Sequence, residues 1–209
     1  MNIISLDVEK NNEIEPLVTM CKSDSRVYGL LLRDAHYKLG NILAKRMIYD
    51  LPNNNITLII MMRAGLCFGM GIADELEQLG MKTSILFHYN EEHWNKEKDN
   101  YTQALENDII FVDAVINTGD SIIQLAQTIK NNKKVFFASN VLSEKAVYKF
   151  EDKSLYTIRI SEKNFKGSKV SVVKDGRGPD TGDRLFTQCE LSPPIFSPPS
   201  SSSAPHSTL

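Results

Sequence analysis

The chain has 209 residues, 42% hydrophobic and 24% charged, with a formal net charge of −2, enough apolar material for one domain to bury a core without staples. A charge near zero supplies no field for a polyanion, and the longest apolar stretch, around Leu58 to Met62, is far too short to cross a bilayer. Nucleic acid and membrane are therefore not expected partners, and an acidic start from Met1 to Lys10 makes the cytoplasm the expected location.

From about Arg26 to Asp50 the apolar residues Tyr28, Leu31, Leu32, Ala35, Leu39, Ile42, Leu43 and Met47 recur every three or four positions, one face of a long helix that ends before Pro52 and an Asn53-Asn54-Asn55 turn. The period then changes. Ile56 to Met62 is a continuous apolar run, followed by a Gly-bearing loop and a helical segment near Phe68 to Leu79. Further runs at Thr83–Phe87, Asp108–Val112, Lys134–Ala138 and Leu155–Ile160 alternate with helical segments at about Ser121–Lys130 and Ser143–Phe150. Runs apolar on both faces and separated by helices predict an α/β domain, a doubly wound and mainly parallel sheet with helices on both faces. Two stretches break the rhythm: Tyr89 to Asn107 is polar and mixed in charge, either a mobile loop or hairpin over a site or a solvated insertion. Asp175 to Phe186, with three glycines and three aspartates, reads as a tight, backbone-exposed loop. Five of the 8 prolines and seven serines fall in Glu190 to Leu209, so the domain is expected to span residues 1–189, with a disordered tail over 190–209 whose deletion leaves folding and activity intact. Cys21, Cys67 and Cys189 are odd in number and widely spaced, which suits neither a disulfide framework nor a paired zinc site.

Ligands of open α/β sheets bind beyond the carboxyl ends of the strands, and there the segment Ile109 to Ser121 is the most informative. A buried run delivers Asp113, after which Ala114, Val115, Ile116, Asn117, Thr118, Gly119 and Asp120 lead into a helix beginning near Ser121. Backbone N–H groups, hydroxyls and the positive end of a helix dipole converge where a phosphate would sit, with Asp113 placed for the hydroxyls of an attached sugar. The same residues also describe an ordinary strand, turn and capped helix.

This segment resembles the phosphoribosyl diphosphate (PRPP) signature of the type I phosphoribosyltransferases, and its single acid followed by Ala114 is similar to the uracil phosphoribosyltransferase branch. Met62-Arg63-Ala64-Gly65-Leu66 is similar to that family's diphosphate loop, and Gly182-Asp183-Arg184-Leu185-Phe186, preceded by Gly178 and Asp180, to its uracil loop. The resemblance runs from about Leu30 to Phe186. It implies transfer of the phosphoribosyl group of PRPP to uracil, giving UMP and diphosphate, with Mg²⁺ carried by PRPP rather than by a protein site of its own. It also implies a homodimer or higher oligomer and a small C-terminal hood over the base. By the same resemblance, Arg63, Asp113 and Asp180 are the catalytic candidates. PRPP would be held by Arg63, Asp113 and Asp180 together with Ala114 through Ser121, and the base by Gly178, Pro179, Asp180 and Thr181. The sequence departs from the pattern at Tyr89, where the family has an arginine before a polar-Glu-Glu triplet, here Asn90-Glu91-Glu92. It departs again at Pro179, which stands where the family commonly has glycine. Gly69-Met70-Gly71 is a weak match to a dinucleotide fingerprint and reads better as close helix packing.

Overall fold

The structure, a computed structural model, describes residues 3–6, 12–129, 134–162 and 180–186. The expected tail, Cys189, and the candidate base residues Gly178 and Pro179 lie outside them.

Six strands form one sheet, β1 (Ile3–Ser5), β2 (Asn55–Met61), β3 (Lys82–His88), β4 (Asp108–Ile116), β5 (Val135–Ser143) and β6 (Ser154–Ser161). All its neighbouring pairs are parallel, in the order β1-β6-β5-β4-β2-β3. The helices are α1 (Ile14–Cys21), α2 (Gly29–Met47), α3 (Leu66–Gln78), α4 (Glu91–Glu97), α5 (Asp120–Thr128) and α6 (Thr181–Phe186). Strand alternation divides the core into two layers. Leu58, Ile60, Ile110 and Val112 pack under α1, α2 and α3, while Ile59, Ile109 and Phe111 pack on the other face with α4, α5 and the 3-10 turn Glu144–Phe150. Both faces are therefore covered, and the central strands need no polar face.

α2 and α3 approach so closely that a Cβ on Gly40 would stand 2.2 Å from the Phe68 carbonyl oxygen, and one on Gly71 2.1 Å from that of Tyr37. The Gly69-Met70-Gly71 run thus serves helix packing, and Asp74 accepts a hydrogen bond from the Tyr37 hydroxyl at 2.7 Å.

Two elements precede those read from the sequence. α1 buries Ile14 and Val18 and carries the apolar spacing Ile14, Leu17, Val18, Cys21 that marks a helix. β1, three residues long, is too short for any period to show. Tyr89 to Asn107 is mostly exposed to solvent but is not a loop: it contains α4 and two 3-10 turns, pinned by the buried Trp94. The Asn90-Glu91-Glu92 triplet is the start of that helix, with Asn90 Oδ1 accepting from the His93 N–H at 2.8 Å and two acids in the first turn. The loop expected over Asp175 to Phe186 becomes helix α6 from Thr181 onward.

Strand order places a crevice. From β2 the chain moves outward to β3, then returns across β2 to β4 on its other side. The loops leaving β2 and β4 therefore diverge at their carboxyl ends, the switch point at which open α/β sheets bind ligands.

Candidate active site

The loop after β2 carries Arg63. It is pressed against the neighbouring strand, because a Cβ on Gly65 would lie 2.7 Å from the Met61 carbonyl oxygen and 2.9 Å from that of Val112. Only glycine fits there, so the Arg63 loop is seated directly over the β2–β4 crevice. The Met62–Arg63 peptide is cis.

On the other side of the crevice β4 continues further than its apolar run suggests, to Ile116, with Asp113, Val115 and Ile116 in register with Ser139, Val141 and Leu142 of β5. Ala114 and Ile116 accordingly turn their side chains into the protein interior, and the connecting loop is confined to Asn117, Thr118 and Gly119. Gly119 has φ of +77°, and a Cβ there would also meet the Phe150 ring at 2.8 Å. This left-handed residue turns the chain into α5, so that the first N–H groups of the helix open at the end of β4. Asp120, in that first turn, is exposed and bonded to Lys149 at 2.5 Å, which holds its carboxyl below the usual range. Lys149, on the turn after β5, was not found from sequence, because nothing in its local pattern signals a position beside α5.

Asp113 is half-buried at the crevice. Its Oδ1 accepts from the Val115 N–H at 3.3 Å, but removal from water dominates and pushes its pKa up to about 7. The carboxyl is thus near its protonation midpoint at neutral pH.

The third wall comes from the far end of the chain. Asp180 Oδ1 accepts from the Asp183 N–H at 2.7 Å, capping α6. Asp183 in turn holds Arg63 at 2.6 Å, joining residues 120 positions apart. α6 is anchored from behind by Arg184, which is buried and donates to the carbonyls of Met20, Cys21 and Val27 and to Ser25 Oγ. Arg33 adds a bond to the Leu185 carbonyl at 2.7 Å. The Gly-Asp-Arg-Leu-Phe motif is thereby divided in role, since Asp183 holds Arg63 while Arg184 fastens the helix to the α1–α2 connection.

The resulting cleft has a volume of about 660 Å³. Of the candidates from sequence, it gathers Arg63, Asp113, Val115, Asn117, Ser121, Asp180 and Thr181. Thr118 and Asp120 lie on the adjoining turn, exposed. Tyr89 also lines the cleft, half-exposed and edge-on to His93 with ring centroids 5.2 Å apart. Among the described residues that line the cleft, Arg63 is the one cation, so none takes the place of the missing arginine. Cys67, in the first turn of α3, has its thiol pKa raised by burial, and Cys21 is pushed up to about 11 for the same reason. Neither is an activated nucleophile.

The family model described as uracil phosphoribosyltransferase matches residues 27–187, a span that contains every wall of this cleft. The chain belongs to the uracil phosphoribosyltransferase family. It is thereby a member of a family of phosphoribosyltransferases, enzymes that transfer a pentosyl group. No curated protein is matched significantly by the sequence. Among solved structures, similarity extends to the protein TT1426 from Thermus thermophilus, at 15% identity and a TM-score of 0.47, covering 62% of this chain and 85% of that one. A hypothetical protein from Neisseria gonorrhoeae with bound ppGpp is similar at 13% identity and 0.46, over 66% and 85%. Hypoxanthine-guanine phosphoribosyltransferase from Schistosoma mansoni in complex with IMP is similar at 15% and 0.42, over 60% and 65%. No helix among the described residues is long and apolar enough to cross a membrane.

Proposed function

We propose that this member of the family transfers the phosphoribosyl group of PRPP to uracil, forming UMP and releasing diphosphate. The observation that supports this reading is the meeting of Arg63, Asp113, Ser121 and Asp180, from three separate segments, around one cleft at the switch point of the sheet.

In this reading the 5-phosphate occupies the turn from Asn117 to Ser121, where the first N–H groups of α5 and the Ser121 hydroxyl receive it. Asp113 holds the ribose hydroxyls; its ionised form is the better acceptor, so the charge on the carboxyl matters. Arg63 offers a planar fork of donors to the diphosphate as charge grows there. For this, it exchanges its bond to Asp183 for one to the leaving group. A ring nitrogen of the base attacks the anomeric carbon while the bond to diphosphate breaks and diphosphate leaves with the electron pair; the ring proton passes toward Asp180. Among the described residues no group of three or more potential ligands could hold a metal by itself. The cleft does present two carboxylates, Asp113 and Asp180, hard oxygen donors that suit Mg²⁺ arriving on PRPP. Such an ion, when bound, neutralises the departing diphosphate.

Incubation of the purified chain with Mg²⁺, PRPP and a panel of bases tests this directly. UMP from uracil alone is expected; formation of another nucleotide overturns the base assignment. Tyr89 favours a second reading, a PRPP- or UMP-binding regulator with little turnover, because it leaves the leaving-group side one cation short. Tyr89→Arg is then expected to raise kcat/KM by about tenfold, the worth of one added charge-assisted contact in the transition state. An unchanged rate removes that explanation.

A further inference from the structure

The turn assigned to the 5-phosphate carries an acid. Asp120 is the first residue of α5, so its own N–H is one of the donors that open at the end of β4. That N–H donates only a long bond, 3.4 Å, to the Thr118 hydroxyl. The Asp120 carboxyl is held below the usual carboxylate range, by its bond to Lys149 first and by Thr118 after it, and is ionised at neutral pH. A carboxylate suits the positive end of a helix, but a phosphate that approaches the same N–H groups meets a like charge.

Lys149 removes this conflict. It is carried by the turn Glu144–Phe150, in which Ala146 and Phe150 are buried, and that turn meets the start of α5 at two adjoining points. The Phe150 ring packs against Gly119, where a Cβ would stand 2.8 Å from it. The preceding residue, Lys149, sets its Nζ 2.5 Å from Asp120 Oδ1. Its side chain is 24% exposed, against 57% for that of Asp120, and Nζ also lies 5.8 Å from the centroid of the Tyr148 ring. The bond to Asp120 raises the Lys149 pKa, so the ammonium keeps its charge throughout the neutral range. The lysine is thereby seated by the fold beside α5, although it does not line the cleft.

We propose that Lys149 is a positioning residue for the sugar phosphate: it neutralises Asp120 and holds that carboxylate against the Glu144–Phe150 turn, so that a doubly charged 5-phosphate is received without net repulsion. A side chain outside the cleft thus sets the affinity for the phosphate by acting through Asp120. The inference rests on the reading that the Asn117–Ser121 turn receives the 5-phosphate, and it is independent of which base is used.

Ribose 5-phosphate, which carries the phosphate without diphosphate or base, is titrated calorimetrically into the full chain. Lys149→Met keeps the apolar stem and removes the charge; its Kd is expected to be about tenfold weaker, the effect of one uncompensated carboxylate close to a doubly charged phosphate. Lys149→Arg, which keeps the charge, is expected to bind as the parent chain does. In Lys149→Met combined with Asp120→Asn the repelling carboxylate is gone as well, and most of the lost affinity is expected to return. Should Lys149→Met fail to fold, Asp120→Asn alone decides. It leaves Lys149 as an unpaired cation beside the turn and is expected to bind about threefold tighter; unchanged or weaker binding overturns the proposal. Equal affinity in the parent chain and Lys149→Met also overturns it, as does a double variant no tighter than Lys149→Met, which would mean that Lys149 touches the phosphate itself. Failure of the parent chain to bind ribose 5-phosphate overturns the phosphate reading of the turn and this inference together. Binding that follows the expected order in a chain that makes no UMP removes the transferase reading alone.

Discussion

The two ends of β4 each bear an aspartate, and they are treated differently by the fold. Asp108, at the amino end, is 2% exposed, and its carboxylate accepts from Asn53 Nδ2 at 2.7 Å and from the Lys134 N–H at 3.1 Å. Nearby, Thr57 Oγ1 donates to the Ala104 carbonyl and accepts from Asn107 Nδ2. Asp113, toward the carboxyl end, has a pKa pushed up to about 7 because its backbone contact does not offset the loss of water. The buried atoms without partners among the described residues include His88 Nε2, Asn140 Oδ1 and Arg159 Nε, all in the carboxyl halves of their strands. Asp108 is thus satisfied by the protein itself, whereas Asp113, on the proposed function, is left for the ribose of PRPP. Stability and function therefore separate along a single strand.

The largest effect that would sharpen this contrast belongs to Asp180. Asn caps a helix about as well as Asp, so Asp180→Asn should keep the bond to the Asp183 N–H and the fold while lowering kcat by roughly 100-fold, the scale of a lost acid-base group. Near-normal turnover in a folded Asp180→Asn protein would reduce this residue to a cap. At the other end of the sheet, Asp108→Ala should strand the amide of Asn53 and the N–H of Lys134 and cost about 1–3 kcal/mol in denaturant unfolding. It should leave kcat/KM near that of the parent chain, and a selective loss of activity would break the separation.

Asp113 supplies a pH test of the same idea. Its carboxyl is more basic in the folded chain, about 7, than its ordinary 3.8, so between these values the folded state binds more protons than the unfolded one. The contribution of this group to stability is therefore complete below about pH 4 and is lost as pH rises through about 7. Thermal unfolding of Asp113→Asn should lack that decline, leaving a shallower fall in Tm between about pH 4 and 7. Parallel slopes for the two proteins would mean that Asp113 is hydrated normally. The smallest effect is expected at Asp183. Its pair with Arg63 is partly exposed on both sides, so Asp183→Asn should change stability by less than about 1 kcal/mol while altering the KM for PRPP.

Much of this architecture was legible in the sequence. The long period-3.6 stripe of α2 and the apolar runs of β2 to β6 announce an α/β sheet, and the Arg63 loop, the Asp113–Ser121 segment and the Asp180–Phe186 motif name three of the cleft's walls. The extent of β4 was not legible, because Asp113 interrupts its apolar run and, with Ala114, is a poor strand former; its pairing with β5 decides the matter. α4 was hidden because Glu91, Glu92, Lys96 and Glu97 give a polar surface, and one buried tryptophan rather than a stripe holds the helix down. Nor could spacing reveal that Asp183 meets Arg63, that Arg184 is an anchor, or that Lys149 stands beside Asp120. Those contacts join segments that only the packed sheet brings together.

PRPP binding across the β2–β4 crevice, with Asp113 as a direct partner, is the claim on which the rest depends. Calorimetric titration of PRPP with Mg²⁺ into the parent chain and into Asp113→Asn at about pH 8, where the carboxyl is ionised, tests this most directly. Binding to the parent chain and at least about a tenfold weaker Kd for the variant, the loss of a charged hydrogen bond, is the predicted result; no binding to the parent chain, or equal affinity in the two, would contradict it.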